Sequence, residues 1–392
     1  MTMILVSAGD LSGERYAGEL VDAIRKRRPE SRFVGMGGAA MASVGVELVV
    51  DQRELAVGGI FEALSSLGRI FRAWREMTRC LREREPDLVI LVDSGGFNLP
   101  FARLVRRLGR AKIFYYVAPQ VWAWREGRLR VLAECTDRIA VILPFEKEYY
   151  ALRGVDVDFV GHPILGSRSM ESSVSISVGE RRDSARNRLD LDPGASVIAL
   201  YPGSRRSEIE SHLALWIDSF RILLRDRPEL KAVIVRAPSL DREDFEARVI
   251  AAAEDIAGSI VVATGDTQDS LDAADVALAK PGTITLELLL RGCPMVVAGR
   301  VNSWTSRIVR RSLKANYFSM PNLLMEKEIV PELIQEEACA EHIAGALSPL
   351  FEGPARAEQV EALLGARQRL GSRGAAERGA LIVEELLGSA SA

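Results

Sequence analysis

The sequence predicts an α/β protein of two doubly wound, Rossmann-like domains facing a central cleft. Three observations lead there. Short β-branched apolar runs alternate with longer amphipathic segments along most of the chain, the pattern of repeated strand–helix units. A polar stretch without clear period interrupts that series once, from Ser167 to about Asn187, after which it resumes. The chain also has 392 residues, more than one ordinary core organises.

In the first domain, residues 1–166, buried parallel strands are expected at MILVS (3–7), DLVILV (87–92), AKIFYYV (111–117), DRIAVILP (137–144) and VDFVG (157–161). Helical patterns occupy 13–27, 61–85 and 99–109. Residues 167–187 read as an interdomain linker. The second domain, 188–365, repeats the theme with SVIALYP (196–202), KAVIVRAP (231–238), GSIVVATG (258–265), DVALAK (275–280) and PMVVAG (294–299). Residues 366–392 form a C-terminal helical segment, expected to pack back on the first domain. Ligands of such sheets gather at the carboxyl ends of the strands, so the turns there carry the functional search.

Composition narrows the classes. With 48% hydrophobic and 27% charged residues the chain fills two cores and stays soluble. A formal net charge of −3 argues against nucleic acid as a partner. The cysteines Cys80, Cys135, Cys293 and Cys339 are far apart without CxxC spacing, which predicts a reduced, cytoplasmic protein without a structural zinc site. The N-terminus reads as no signal peptide, and no run reaches the roughly 18 apolar residues of a membrane span. Any membrane is therefore met from one side.

Four strand exits carry candidate chemistry. In DVALAKPGTITLELLL, Gly282 and Thr283 turn into a helix whose free N–H groups suit a phosphate, and Glu287, one turn on, suits the two hydroxyls of a ribose. An ordinary αβ turn explains the same residues. In ALYPGSRRSEIE, Gly203 and Ser204 form a turn, and Arg205 or Arg206 can neutralise a pyrophosphate. A capped helix with solvated arginines fits equally. In LVDSGGFNLP, Asp93 ends a strongly apolar strand, where desolvation raises a carboxyl toward the range of a general base. Its alternative is a cap for a helix starting near Leu99. In SAGDLSGE, Ser12 and Gly13 allow a ligand close to the backbone.

The stretch YYVAPQVWAWREGRLR sets Val121, Trp122 and Trp124 beside Arg125 and Arg128, as either a tight packing unit or a site for a bulky, partly greasy ligand. Asp156 and Asp158 match a D-x-D metal motif, but alternation puts both on the solvent face of an edge strand, so no metal is assigned. His162, His212 and His342 are scattered without ligand spacing. Around Arg69, Phe71, Arg72, Trp74 and Arg75 an apolar stripe lies among arginines, which fits both a helix on an anionic membrane surface and a core-packed helix.

Taken in order, FVGMGG (33–38), LAVGGIFEAL (55–64), VWAWREGR, LPFEKEYY (143–150), FVGHP (159–163), PGSRRSEIE, GTITLELLL and PNLLMEKEIVPELIQEE (321–337) resemble the lipid-A-disaccharide synthase family, inverting glycosyltransferases of the GT-B fold. The resemblance runs from Ile4 to at least Gln335. It implies transfer of 2,3-diacylglucosamine from UDP-2,3-diacylglucosamine to 2,3-diacylglucosamine 1-phosphate (lipid X), giving a β-1,6-linked disaccharide phosphate and UDP, without cofactor. On these residues it implies Asp93 as base, Arg205 at the diphosphate, Glu287 at the ribose, and Asn322 and Gln335 near the nucleotide. The acyl chains of the acceptor are expected beside Val121, Trp122, Trp124 and Arg125. The resemblance also implies a peripheral place on the inner face of the inner membrane, and a homodimer with exchanged C-terminal segments. Three departures stand out: GEASGD is GDLSGE here, PDFN is GGFN with Gly96 replacing an aspartate, and SGT is PGT at Pro281. Alternatives are another GT-B enzyme using a UDP-N-acetylglucosamine-type donor, and a non-catalytic nucleotide-sugar-binding protein.

Overall fold

A computed structural model describes residues 2–55, 60–109, 111–124, 126–166, 177–238, 240–264, 267–300 and 317–388, with side chains left undescribed at 54–67 and 123–126. The chain divides into two compact units, Met1–Ser167 with Leu370–Ala392, and Arg168–Arg369.

In the first unit seven parallel strands lie in the order β3-β2-β1-β4-β5-β6-β7. They are β1 Met3–Ala8, β2 Arg32–Gly37, β3 Val46–Asp51, β4 Leu88–Val92, β5 Lys112–Tyr116, β6 Arg138–Val141 and β7 Asp158–Phe159. Every residue of β4 is buried, as expected of a central strand covered by helices on both faces. The order reverses direction between β1 and β4, which run in register with Ala8 opposite Val92. Turns leaving these two strands therefore emerge side by side at the switch point of the sheet. The final helix, Ala375–Gly388, packs against the helix Leu11–Arg27 of the same unit. Arg27–Glu384 and Arg138–Glu385 ion pairs, at 2.6 and 2.7 Å, tie it down.

The second unit holds six parallel strands in the order β10-β9-β8-β11-β12-β13. These are β8 Val197–Tyr201, β9 Lys231–Arg236, β10 Ile260–Thr264, β11 Val276–Ala279, β12 Met295–Gly299 and β13 Glu332–Ile334. Its switch point lies between β8 and β11, where Tyr201 stands opposite Ala279.

Two sequence expectations are corrected here. The second half of the anticipated linker is a helix, Val178–Arg188, started by Ser177, whose hydroxyl accepts from Glu180 N while the Glu180 carboxylate accepts from Ser177 N. Its polar surface hides the helical period, but Arg186 is buried and donates to the carbonyls of Ala273 and Pro193 and to the Asp275 carboxylate. The helix expected near Leu99 begins four residues earlier, at Gly95, so Asp93 precedes the cap position, which Ser94 takes.

The helix Ile60–Arg84 buries Ala73, Met77, Cys80 and Leu81 on one face. Trp74, grouped by sequence with the membrane-facing residues, instead packs edge-on against Phe97 and Phe101, with ring centroids 5.5 and 5.8 Å away. Phe71 is 68% exposed, and Arg72 and Arg75 share its outward face. Among the described residues, no helix is long and apolar enough to cross a membrane.

Candidate functional site

The switch point of the first unit is occupied by a small polar cluster. Asp10, in the turn after β1, caps the Leu11–Arg27 helix, its Oδ1 accepting from Gly13 N at 2.6 Å and from the Ser12 hydroxyl at 2.9 Å. Its Oδ2 accepts from the Ser94 hydroxyl at 2.7 Å, and Ser94 Oγ accepts in turn from Gly9 N at 3.1 Å. The two turns are thus laced together.

Asp93, half-buried at the exit of β4, stands beside them with a left-handed backbone at φ 45°. Burial pushes its carboxyl up to about 7, the nearby Asp10 charge adds to this, and the Ser94 N–H bond opposes it. A carboxyl with such a value is ionised in part near neutrality and basic enough to take a proton from an alcohol as it attacks.

Ser12 and Gly13, expected to open the backbone to a ligand, serve this internal packing. A Cβ at Gly13 would stand 3.0 Å from Asp10 Oδ1 and 3.6 Å from the Val92 carbonyl, the space already being taken by the protein. The exchanged acids of GDLSGE also find a reason. The short Asp10 reaches back to its own helix, while the longer Glu14 reaches the Gly38 turn, where a Cβ would lie 2.3 Å from Glu14 Oε2.

Of the aromatic pair, Trp122 takes the packing reading. It is 7% exposed, lies edge-on to Phe145 at 4.9 Å, and donates its indole N–H to the buried Glu146 carboxylate at 2.9 Å. Glu146 also accepts from Ile142 N and Leu143 N, and its burial pushes its carboxyl to about 7. Val121 is 2% exposed. Neither residue offers an edge for acyl chains, which corrects that expectation. The Trp124 side chain and Arg125 lie outside the described residues.

At the switch point of the second unit, the turn after β8 runs through Gly203, whose φ of 136° suits glycine alone and whose Cβ would collide with Glu208 Cβ at 2.5 Å. Glu208 fastens this turn. One carboxylate oxygen accepts from Ser204 N at 2.8 Å and Arg205 N at 3.3 Å, and the other pairs with Lys280 Nζ at 2.8 Å. Lys280 belongs to the turn after β11, so a single carboxylate joins both exits. Salt-bridge and hydrogen-bond support outweigh burial here and hold Glu208 below the usual carboxylate range.

One turn further on, His212 Nδ1 donates to the Glu208 carbonyl at 2.8 Å and Nε2 accepts from Arg300 N at 3.0 Å, fixing a neutral ring that also ties down the exit of β12. Burial keeps its pKa below the usual value. Sequence reasoning missed Glu208, Lys280 and His212. The only available signal was their spacing after PGS and before PGT.

Around this cluster Ser204, Arg205, Gly282 and Thr283 are exposed, and Glu287 is half-buried one turn into the helix Ile284–Arg291. Gln335 follows β13 with a left-handed φ of 62°. Asn322 does not join them. It is fully buried, its amide nitrogen donates to the Val330 carbonyl and Glu332, and its Oδ1 accepts from Ile329 N and Val330 N. Its side-chain amide is consumed by its own loop, where it shapes the chain. Asp158 of the D-x-D motif is held in a two-point ion pair with Arg138, at 2.8 and 2.9 Å.

Comparison with known proteins decides the chemistry. A family model described as lipid-A-disaccharide synthetase matches residues 4–385. This chain belongs to the lipid-A-disaccharide synthase family. Lipid-A-disaccharide synthases of Geobacter metallireducens and Myxococcus xanthus are 37% and 39% identical to it, each match covering 98% of this chain and 97% of the relative. That of Pseudomonas aeruginosa is 36% identical over 97% of this chain and 98% of its own length.

Solved structures share the fold. A putative UDP-N-acetylglucosamine 2-epimerase from Listeria monocytogenes superposes with a TM-score of 0.67 at 11% identity, covering 99% of this chain and 97% of that one. The calicheamicin glycosyltransferase CalG4 gives 0.59 at 16% identity over the full length of both chains. A UDP co-structure of S. aureus MnaA gives 0.67 at 13%, covering 99% of this chain and 97% of that one. The fold is GT-B, and membership in the lipid-A-disaccharide synthase family makes the protein a glycosyltransferase using a UDP-sugar donor.

Proposed function

We propose that this lipid-A-disaccharide synthase transfers 2,3-diacylglucosamine from UDP-2,3-diacylglucosamine to the 6-hydroxyl of 2,3-diacylglucosamine 1-phosphate, with Asp93 as the general base. Asp93 removes the hydroxyl proton as the oxygen bonds to the anomeric carbon. The bond from that carbon to the diphosphate breaks on the opposite side, and UDP departs with its electrons. The anomeric centre inverts in one displacement, without a covalent enzyme intermediate.

The observation carrying this reading is the place of Asp93. It is an acid at the carboxyl end of the central strand, at the switch point of its sheet, with a pKa near neutrality. On the donor side, Arg205 is 67% exposed beside Gly203, while Lys280 adds a second cation to the same cluster. The backbone N–H groups at Gly282 and Thr283 open the helix whose dipole favours an anion. Glu287, one turn on, is assigned to the ribose and Gln335 to the nucleotide. Fixed cations and N–H groups then stabilise the leaving diphosphate, so turnover in excess EDTA should equal that in its absence. A loss restored by magnesium contradicts that assignment.

The outward face of the Ile60–Arg84 helix, with Phe71 beside Arg72 and Arg75, is assigned to the anionic membrane surface from which both lipids are drawn.

Incubating the purified protein with the two lipids and weighing the product tests the reaction. A disaccharide monophosphate, with one UDP released per product, supports it. UDP release without disaccharide rejects it.

A further inference from the structure

We propose that Asn98 is a positioning residue for the transfer reaction, acting with Tyr115 to lock the backbone of Asp93 in the orientation that presents its carboxylate. The proposal rests on the reading of Asp93 as base. Asp93 and Ser94 are two successive non-glycine residues in the left-handed region, with φ of 45° and 43°. Such a pair persists only where its surroundings hold it, and strain of this kind collects at functional sites.

The holding groups are identifiable. Asn98 is fully buried in the first turn of the helix Gly95–Leu108. Its amide nitrogen lies 3.0 Å from the Asp93 carbonyl, 3.0 Å from that of Val92 and 3.2 Å from that of Ser7, two N–H groups shared among three acceptors. Its Oδ1 accepts from the Ser7 hydroxyl at 2.7 Å. One side chain thereby binds the exits of β1 and β4 and turns the Asp93 carbonyl inward.

Tyr115, on the neighbouring strand β5 and fully buried, donates to the same carbonyl at 2.6 Å. The Asp93 N–H is shared between the carbonyls of Tyr116 and Val117, at 3.3 and 3.2 Å. With carbonyl and amide both fixed, the Cα–Cβ direction is fixed, and so is the carboxylate. These bonds are to the Asp93 main chain, so they leave the proton on its side chain untouched and govern only where that side chain points.

The charged groups around this turn come from other elements. Asp10 follows β1, Glu146 opens the helix Pro144–Ala151, and the Arg128 guanidinium lies 3.6 Å from where a Gly95 Cβ would stand.

Asn98→Ala and Tyr115→Phe test the proposal through pH–rate profiles, UDP affinity and the folded fraction. In each variant turnover per folded molecule falls, by roughly tenfold to a hundredfold in Asn98→Ala and less in Tyr115→Phe, which keeps the ring. UDP affinity is unchanged. The acid limb of the profile, expected near pH 7 in the natural protein, moves to lower pH because a released carboxylate turns toward water. A limb that stays in place overturns the proposal whatever happens to turnover, as does turnover per folded molecule within about twofold of the natural protein. If Asn98→Ala does not fold, Tyr115→Phe decides alone. Asp93→Asn separates the two levels, since full activity there removes the base itself, whereas its loss beside unchanged Asn98 and Tyr115 variants removes only the positioning.

Discussion

The role proposed for Asp93 as a base depends on burial making its ionised form uncomfortable, and the same burial lowers stability. Its carboxyl, near 7 in the folded protein and in the ordinary aspartate range when unfolded, binds a proton more tightly in the native state. Stability from this group is therefore full at acid pH and is lost as pH rises from the unfolded value through about 7. Asp93→Asn should accordingly melt higher than the natural protein at pH 8, with the difference shrinking toward pH 5, in calorimetric scans. Gly96 offers a second test. No atom lies within 4 Å of a Cβ built there, so the aspartate of the family pattern fits. Gly96→Asp should stabilise the fold by about 1 kcal/mol, by relieving a glycine within a helix and adding a negative charge to its first turn. Denaturant midpoints read this directly. Asp93 was legible in the sequence because an acid at the end of a five-residue apolar run is conspicuous. Its left-handed backbone was not, since only glycine advertises positive φ. Asn322 shows the converse: its motif was recognised, but its partners at Ile329 and Val330 appear only once the loop is folded.

At the level of elements, the long apolar strands and the helices Leu11–Arg27 and Ile60–Arg84 followed from periodicity. The weaker strands escaped. Strand β2 is RFVGMG, with two glycines in six residues, and β13 is only three residues long. The polar helix Val178–Arg188 was missed because a period is invisible where nearly all residues are hydrophilic, although its Ser177–Glu180 capping box was readable. Trp122, the first tryptophan of VWAW, anchors its short helix to the start of the helix Pro144–Ala151. Trp122→Phe keeps the ring contact with Phe145 but leaves the buried Glu146 one donor short, at a cost of about 1–3 kcal/mol. Because the indole bond favours the ionised carboxylate, the drop in melting temperature should be larger at pH 8 than at pH 5. For the Ile60–Arg84 helix, replacing Arg72 and Arg75 with Ser should reduce sedimentation with anionic vesicles while leaving far-UV dichroism unchanged. Equal sedimentation would return that face to plain solvent.

Across the whole molecule, the same device occurs twice. Each sheet reverses its winding beside a central strand, and at each reversal one carboxylate laces two turns together: Asp10 through Ser94 in the first unit, Glu208 through Lys280 in the second. Because Asp10 does the fastening, the Asp93 carboxylate remains available for the proposed role of base. Arg205 stays largely exposed with its guanidinium 3.8 Å from Glu208, the acid that also secures its backbone N–H and pairs with Lys280 at 2.8 Å. Sequence reading singled out Asp93 and Arg205 and missed the fasteners, whose partners lie tens of residues away along the chain. The most direct measurement is the turnover of Asp93→Ala, taken together with its UDP dissociation constant. The account predicts at least about a hundredfold loss of turnover with UDP affinity within about twofold of the natural protein. Turnover within about threefold of the natural protein would contradict it.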